Sequence, residues 1–230
     1  MDFSHLNVLI TGASSSLGFC LANILNGYGA TVIGVYNNNR IKDVLYDTYK
    51  CDISNEDEVK RLYEYVIKRH EKIDVVINCA ALSIDNDIYE KTKDEFMRVL
   101  DVNLGGTFLI DKYATLNMDR GVIINISSTD GCDTYNVLSM DYAASKAGVN
   151  NLTKNLANRF PNLKICALAP NWIETESVLN MEPEYLKKEM ERVGQKKLLT
   201  KEEVALKIIE IVINDDYISG DVIRMDGLSE

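Results

Sequence analysis

The chain is 230 residues long, enough to bury one α/β core, and no Pro/Gly/Ser-rich tract or charge block divides it, so one domain over 1–230 is expected. A formal net charge of −10 argues against nucleic acid as a partner, because that affinity comes from clustered Lys and Arg displacing counterions. Five scattered cysteines (Cys20, Cys51, Cys79, Cys132, Cys166) without a Cys-x-x-Cys pair argue against disulfides or a zinc cluster, and His5 and His70 lack companions for a catalytic metal.

In chain order, Met1 to Asn7 has neither the basic flank nor the apolar run of a signal peptide. No apolar stretch reaches membrane-spanning length, so a soluble, cytoplasmic protein is expected, without membrane contact. Apolar, β-branched runs then recur at Asn7 to Ile10, Thr31 to Tyr36, Thr48 to Cys51, Ile73 to Asn78, Gly121 to Ile126, Leu163 to Leu168 and Val222 to Met225. Nearly every gap leaves room for a helix, and Thr92-x-x-Glu95 and Thr200-x-x-Glu203 read as capping boxes. Such alternation requires right-handed crossovers, which predicts a doubly wound Rossmann-type domain: a seven-stranded parallel sheet with helices on both faces. Ligands in that architecture collect beyond the carboxyl ends of the strands.

The first strand runs into Thr11-Gly12-Ala13-Ser14-Ser15-Ser16-Leu17-Gly18, and Phe19 to Leu25 continues with helical apolar spacing. Small residues here let backbone approach a pyrophosphate, and the helix start offers unpaired N–H groups; the plainer alternative is an ordinary tight turn. At the end of the second strand, Val35-Tyr36-Asn37-Asn38-Asn39-Arg40 offers no carboxylate for ribose hydroxyls, whereas Arg40 is close enough in sequence to reach a 2′-phosphate. NADP is therefore expected, with NAD as the alternative cofactor.

Three Tyr-x-x-x-Lys pairs occur: Tyr46 with Lys50, Tyr89 with Lys93 and Tyr142 with Lys146. Among 12 tyrosines that spacing arises by chance, and only the third pair follows an apolar strand and a serine-rich turn, Ser127-Ser128. Helical spacing places Tyr142 and Lys146 on one face. An ammonium about 5 Å away, at an effective dielectric of about 20, favours the phenolate by roughly 3 kcal/mol, about two pKa units, which brings a phenol towards acid–base use. Ser128 would polarise the substrate carbonyl.

These ordered motifs resemble the short, single-domain branch of the short-chain dehydrogenase/reductase family over essentially the full chain. Thr11-Gly12 to Gly18 is similar to its cofactor turn, Asp52-Ile53 to its adenine-contacting pair, and Asn78-Cys79-Ala80-Ala81 to its Asn-Asn-Ala-Gly element. Ala169-Pro170-Asn171-Trp172-Ile173-Glu174-Thr175 resembles its Pro-Gly segment, and Ser219-Gly220-Asp221-Val222-Ile223 to Asp226-Gly227 its last strand and turn. The resemblance implies catalysis by Asn103, Ser128, Tyr142 and Lys146, with Asn103 supporting a water-linked proton relay and Lys146 also binding the nicotinamide ribose. It implies cofactor contacts from Gly12, Ser14, Ser15, Ser16, Leu17, Gly18, Tyr36, Asn37, Arg40, Asp52, Ile53, Asn78, Ala80, Tyr142, Lys146, Pro170, Asn171, Ile173 and Thr175. No metal is implied.

Ser16, Ala81 and Asn171 replace family glycines and add atoms near the cofactor, although Asn tolerates left-handed backbone. The interval from Ser128 to Tyr142 is one residue longer than usual and carries Asp130, Asp133 and Asp141 at the expected substrate entrance. Trp172 to Leu199 is expected to be a mobile flap with a short helix from Pro183 to Val193. Within it Met181, Tyr185, Leu186 and Met190 either line an apolar pocket or pack the flap down.

The expected substrate is a small carbonyl or alcohol. A 3-oxoacyl thioester is one option, since the likeness extends to the 3-oxoacyl-carrier-protein reductases. Acidic carriers would then need the flap basic pair Lys196 and Lys197, with Arg120. A dinucleotide-binding sensor or scaffold is the alternative from another class; an epimerase or dehydratase of the longer branch would need an extra substrate domain. Helices over Thr92 to Ala114 and Tyr142 to Asn158 carry surplus apolar surface, and the resemblance implies that they pair in a homodimer or homotetramer.

Overall fold

The computed structural model describes residues 3–227, so Met1 and Asp2 of the amino-terminal reading lie outside the described residues. Seven strands form one all-parallel sheet: β1 (Asn7–Thr11), β2 (Thr31–Tyr36), β3 (Asp47–Lys50), β4 (Val75–Asn78), β5 (Gly121–Ile126), β6 (Leu163–Pro170) and β7 (Val222–Met225). Their order is β3-β2-β1-β4-β5-β6-β7, so the winding reverses between β1 and β4. A crevice at the carboxyl ends of those two strands is the expected ligand position.

Alternation along each strand feeds two apolar layers. Val8, Ile10, Ile77, Ile124 and Leu168 face the layer that helices α1 (Ser16–Gly27) and α8 (Lys201–Ile213) complete with Leu21, Leu25, Val204 and Ile208. Leu9, Ile33, Val76, Ile123 and Ile165 face the opposite layer, closed by Leu62 and Val66 of α2 (Glu56–His70) and Ile110 of α4 (Thr107–Asn117). Burial on both faces is why the strands read as continuous apolar runs.

Helix ends follow local chemistry. The α2 start is capped by Asn55 and carries Glu56, Asp57 and Glu58, while its last turn carries Lys68, Arg69 and His70, charges that complement the helix dipole. Both expected capping boxes form, at α3 (Lys93–Leu100) and α8. The helix expected over Thr92 to Ala114 is not uniform: α3 passes into a π-helical turn at Asp101–Gly106 before α4. The other helices are α5 (Met140–Arg159), α6 (Glu176–Leu179) and α7 (Pro183–Arg192). Ile73 and Asp74 fall before β4, and β6 runs on to Pro170, whose missing N–H costs nothing at a strand end.

Candidate active site

A cleft of about 1160 Å³ opens above the carboxyl ends of β1, β4 and β5, the size range of a ligand site. Gly12 forms its floor with φ +65°, and a β-carbon there would lie 2.7 Å from the Ala80 backbone. A β-carbon on Gly18 would lie 2.3 Å from the Gly12 carbonyl oxygen, so turn and helix approach as closely as two glycines allow. Ser15 caps α1, its hydroxyl accepting from Gly18 N at 3.2 Å. The amides of the first helical turn have no intrahelical acceptor and form an anion cradle. This cradle fits a pyrophosphate.

The same cleft is lined by Ser128, Tyr142 and Lys146. Ser127 donates to the Lys146 carbonyl at 3.2 Å and Asn150 Nδ2 to the Gly131 carbonyl at 2.9 Å, which ties the turn after β5 to α5. Lys146 is 2 % exposed, its Nζ donates to the Ile126 carbonyl at 2.6 Å, and it stands 5.4 Å from the centroid of the Tyr142 ring. Burial pushes its pKa down to about 8. Burial likewise pushes Tyr142 above its ordinary value; Asp130 and Asp85 add to the rise, and a hydrogen bond between the Ser128 and Tyr142 side chains opposes it. The sequence reading, in which Lys146 draws the phenol towards neutrality, is corrected here: burial sets the direction upward, and the ammonium is turned onto the Ile126 carbonyl. The protein's own groups therefore favour the protonated phenol, the form that donates. The other two pairs are elsewhere: Lys50 is exposed on β3, and Tyr89 is 97 % exposed.

Of the expected cofactor positions, Gly12, Ser14, Ser15, Ser16, Leu17, Tyr36, Asn37, Asp52, Ile53, Ala80, Pro170, Asn171, Ile173 and Thr175 line the cleft. Three of the expected positions do not, nor does the expected catalytic residue Asn103. Gly18 acts behind the turn, through the close approach described above. Arg40 is exposed outside the cleft wall, where Asn37, Asn38 and Asn39 stand instead. Asn78 points inward, donating to Asp111 and Asn125 at 2.8 Å each. Asn103, fully buried in the π-helical turn, clasps the Leu82 backbone: its oxygen accepts from Leu82 N at 2.7 Å and its Nδ2 donates to Leu82 O at 2.9 Å and to Ser145 Oγ at 3.1 Å. It positions the segment entering the cleft and does not touch Lys146.

The glycine replacements are accommodated. Ser16 is the first residue of α1, and its hydroxyl accepts from Glu176 N at 3.4 Å, linking cofactor turn to flap. Asn171 is not in the left-handed region, so its expected conformational tolerance is not called upon; its Oδ1 accepts from Trp172 N at 3.1 Å. Ala81 is exposed on the cleft wall.

The flap is pinned at its base, where Ile173 pairs with Leu199 and Gln195 bonds the Trp172 backbone in both directions at 3.0 and 2.9 Å. Of its four apolar candidates only Met181 lines the cleft. Of the three entrance carboxylates only Asp130 lines it: Asp133 pairs with Arg224, and Asp141 is buried against Lys91 at 2.7 Å. Residues that the sequence did not mark include Arg98, Val102, Ser83, Asp85, Asn136 and Ser139. They come from helix, loop and turn positions without a shared local pattern. Among the described residues no group of three or more His, Cys, Asp or Glu stands placed to hold a metal ion, and no helix is long and apolar enough to cross a membrane.

A family model described as short chain dehydrogenase matches residues 6–185. The chain is 29 % identical to a 3-oxoacyl-(acyl-carrier-protein) reductase of Thermotoga maritima, with 95 % of each chain covered. It is 30 % identical to a nodulation protein G of a Rhizobium species, covering 98 % of this chain and 97 % of the other. Among solved structures, ligand-free aldohexose dehydrogenase of Thermoplasma acidophilum superimposes with a TM-score of 0.88 at 27 % identity, over 98 % of this chain and 96 % of that one.

Proposed function

This chain belongs to the short-chain dehydrogenase family, and from that premise we propose that it is a nicotinamide-dependent carbonyl reductase or alcohol dehydrogenase in which Tyr142 is the general acid and base. The observation that carries the reading is that Ser128, Tyr142 and Lys146 line the same cleft as the Gly12 cradle. Bound there, a reduced nicotinamide supplies the hydride.

In reduction, the substrate carbonyl oxygen takes the Tyr142 proton while the carbonyl carbon gains hydride, leaving an alcohol and a phenolate; oxidation is the reverse. Ser128 donates to the same oxygen, which polarises the carbonyl. Its hydroxyl already accepts from Asp130 N at 3.2 Å, which fixes its direction. Lys146, held beside the Tyr142 ring, offsets the phenolate charge and binds the ribose. Asn103 serves by positioning, through Leu82. Ser15, Ser16 and Leu17 hold the pyrophosphate, Asp52 and Ile53 the adenine, and Pro170, Asn171, Ile173 and Thr175 the nicotinamide end.

NADP is proposed over NAD, on Asn37 to Asn39 in place of a carboxylate at the end of β2. A 3-oxoacyl thioester remains an option through the names of relatives, although Lys197 is already paired with Glu203 at 2.8 Å. An assembly of two or four copies, and a cytoplasmic location, complete the proposal.

A screen of carbonyl and alcohol compounds with NADPH and NADH tests it, with Tyr142→Phe as control. The wild type should consume NADPH in preference to NADH, and the variant should bind cofactor normally while turnover falls about 10²- to 10⁴-fold. Binding without consumption would make the protein a sensor. A clear NADH preference would overturn the cofactor assignment.

A further inference from the structure

Beyond Tyr142 and Ser128 the cleft is walled by side chains that no step of the proposed reaction uses. Asp85, which is exposed, and Asp130, which is half-buried, both line the cleft and both act on the Tyr142 phenol electrostatically. Asp130 accepts from Thr134 Oγ1 at 2.8 Å through Oδ1. Asp85 accepts from Ser83 Oγ at 2.8 Å, and from Ser139 Oγ, also through Oδ1. The second oxygen of each carboxylate has no hydrogen-bond donor among the described residues. Asn136 lies in the same wall and is 8 % exposed. Its Oδ1 accepts from Leu138 N at 3.0 Å, while its Nδ2 donates to no described residue.

Charge and polarity at this end are selective. Among the described wall residues the cations are Lys146 and Arg98, the latter 3.6 Å from the Asp52 carboxylate. Arg192 also acts on Asp130, but it is bonded to Glu189 at 3.0 and 2.6 Å, lies over the Tyr135 ring and does not line the cleft. An anionic substrate would meet two carboxylates, while Lys146 Nζ is turned onto the Ile126 carbonyl. A purely apolar acyl chain would desolvate two carboxylate oxygens and a buried amide without giving any of them a partner. An amine would suit the carboxylates and leave the Asn136 N–H groups facing another donor. A hydroxyl both donates and accepts, so several on one molecule satisfy all three groups together.

We propose that the substrate is a neutral polyhydroxylated compound, a sugar or polyol, with Asp85 and Asp130 accepting from its hydroxyls and Asn136 donating to one of them. The inference rests on the hydride-transfer reading and narrows it. The proton and hydride balance is that given above, with the carbinol C–H bond breaking to supply hydride to the oxidised nicotinamide and the O–H proton passing to Tyr142.

The test follows the absorbance of reduced cofactor with the whole protein, offering aldoses and polyols for oxidation, an acetoacetyl thioester for reduction, and simple apolar and amino alcohols. A sugar or polyol should be turned over in preference. Asp130→Asn and Asp85→Asn should each raise the KM of that sugar or polyol about 10- to 100-fold while the KM of a simple apolar alcohol stays close to that of the wild type, because a hydrogen bond to a charged acceptor is lost in binding. Any change in kcat through Tyr142 is shared by all substrates. Preference for the thioester, the amino alcohol or the apolar alcohol overturns the inference and leaves hydride transfer standing. So does a KM that rises equally for every substrate in the two variants. Failure to turn over any class, with cofactor bound, overturns the hydride-transfer reading itself.

Discussion

Asp111 stands at the centre of a buried polar network, its oxygens accepting from Asn78 Nδ2 at 2.8 Å and Asn125 Nδ2 at 2.9 Å, while Asn125 also donates to Thr153 Oγ1 at 3.0 Å. Burial pushes its pKa up to about 7, against the two hydrogen bonds that lower it. A carboxyl whose folded pKa exceeds its unfolded value, about 3.9, binds more protons when folded, so it lowers stability as pH rises from about 4 through 7. Urea unfolding of the wild type and of Asp111→Asn, which cannot titrate, should show the wild-type advantage shrinking by about 2–3 kcal/mol between about pH 5 and pH 8. Parallel curves would mean that the carboxylate stays ionised throughout. The same residue scale explains Asn78: the motif predicted its presence, but whether its amide points to cofactor or interior depends on Asp111, 33 positions away.

Helix boundaries were legible wherever a side chain within three residues closes the end. Thr92 and Thr200 each bond the N3 backbone, and Glu95 and Glu203 bond back, as their spacing predicted. Thr200→Ala should therefore cost about 1 kcal/mol, seen in calorimetry as a Tm lower by about 2–4 °C. An unchanged Tm would show that tertiary packing, not the cap, starts α8. The π-helical turn at Asp101–Gly106 carries no such local signal. It is sustained across the chain by Asn103 on Leu82, and by Gly106 against Ile53, where a β-carbon would come within 2.7 Å. Such turns commonly mark functional positions, and this one sets the segment from Leu82 to Asp85 in the cleft wall.

At the scale of the whole molecule, α3 and α4 leave Met97, Phe108 and Leu116 exposed by 50, 46 and 69 %, whereas α5 exposes none of its large apolar side chains among the described residues. The surplus apolar surface is thus on one of the two helical regions expected to pair. Light scattering should give a mass of two or four chains, and Phe108→Glu should reduce it by placing charge in the contact. A monomeric wild type would overturn the assembly. The alternation of apolar runs and amphipathic gaps located the strands and implied the doubly wound class, because burial on both faces favours unbroken apolar strands and parallel pairing demands a crossover connection, which is a helix in most of the gaps and a loop between β2 and β3. Short motifs likewise located Gly12, Ser128, Tyr142 and Lys146, whose chemistry needs fixed spacing on one turn or one helix. The direction of Asn78 and Asn103, the exclusion of Arg40 from the cleft, and the gathering of Asp85, Asp130 and Asn136 beside Tyr142 were decided only by tertiary structure. Each depends on which distant groups share a desolvated space, and desolvation is a property of packing, not of neighbouring letters.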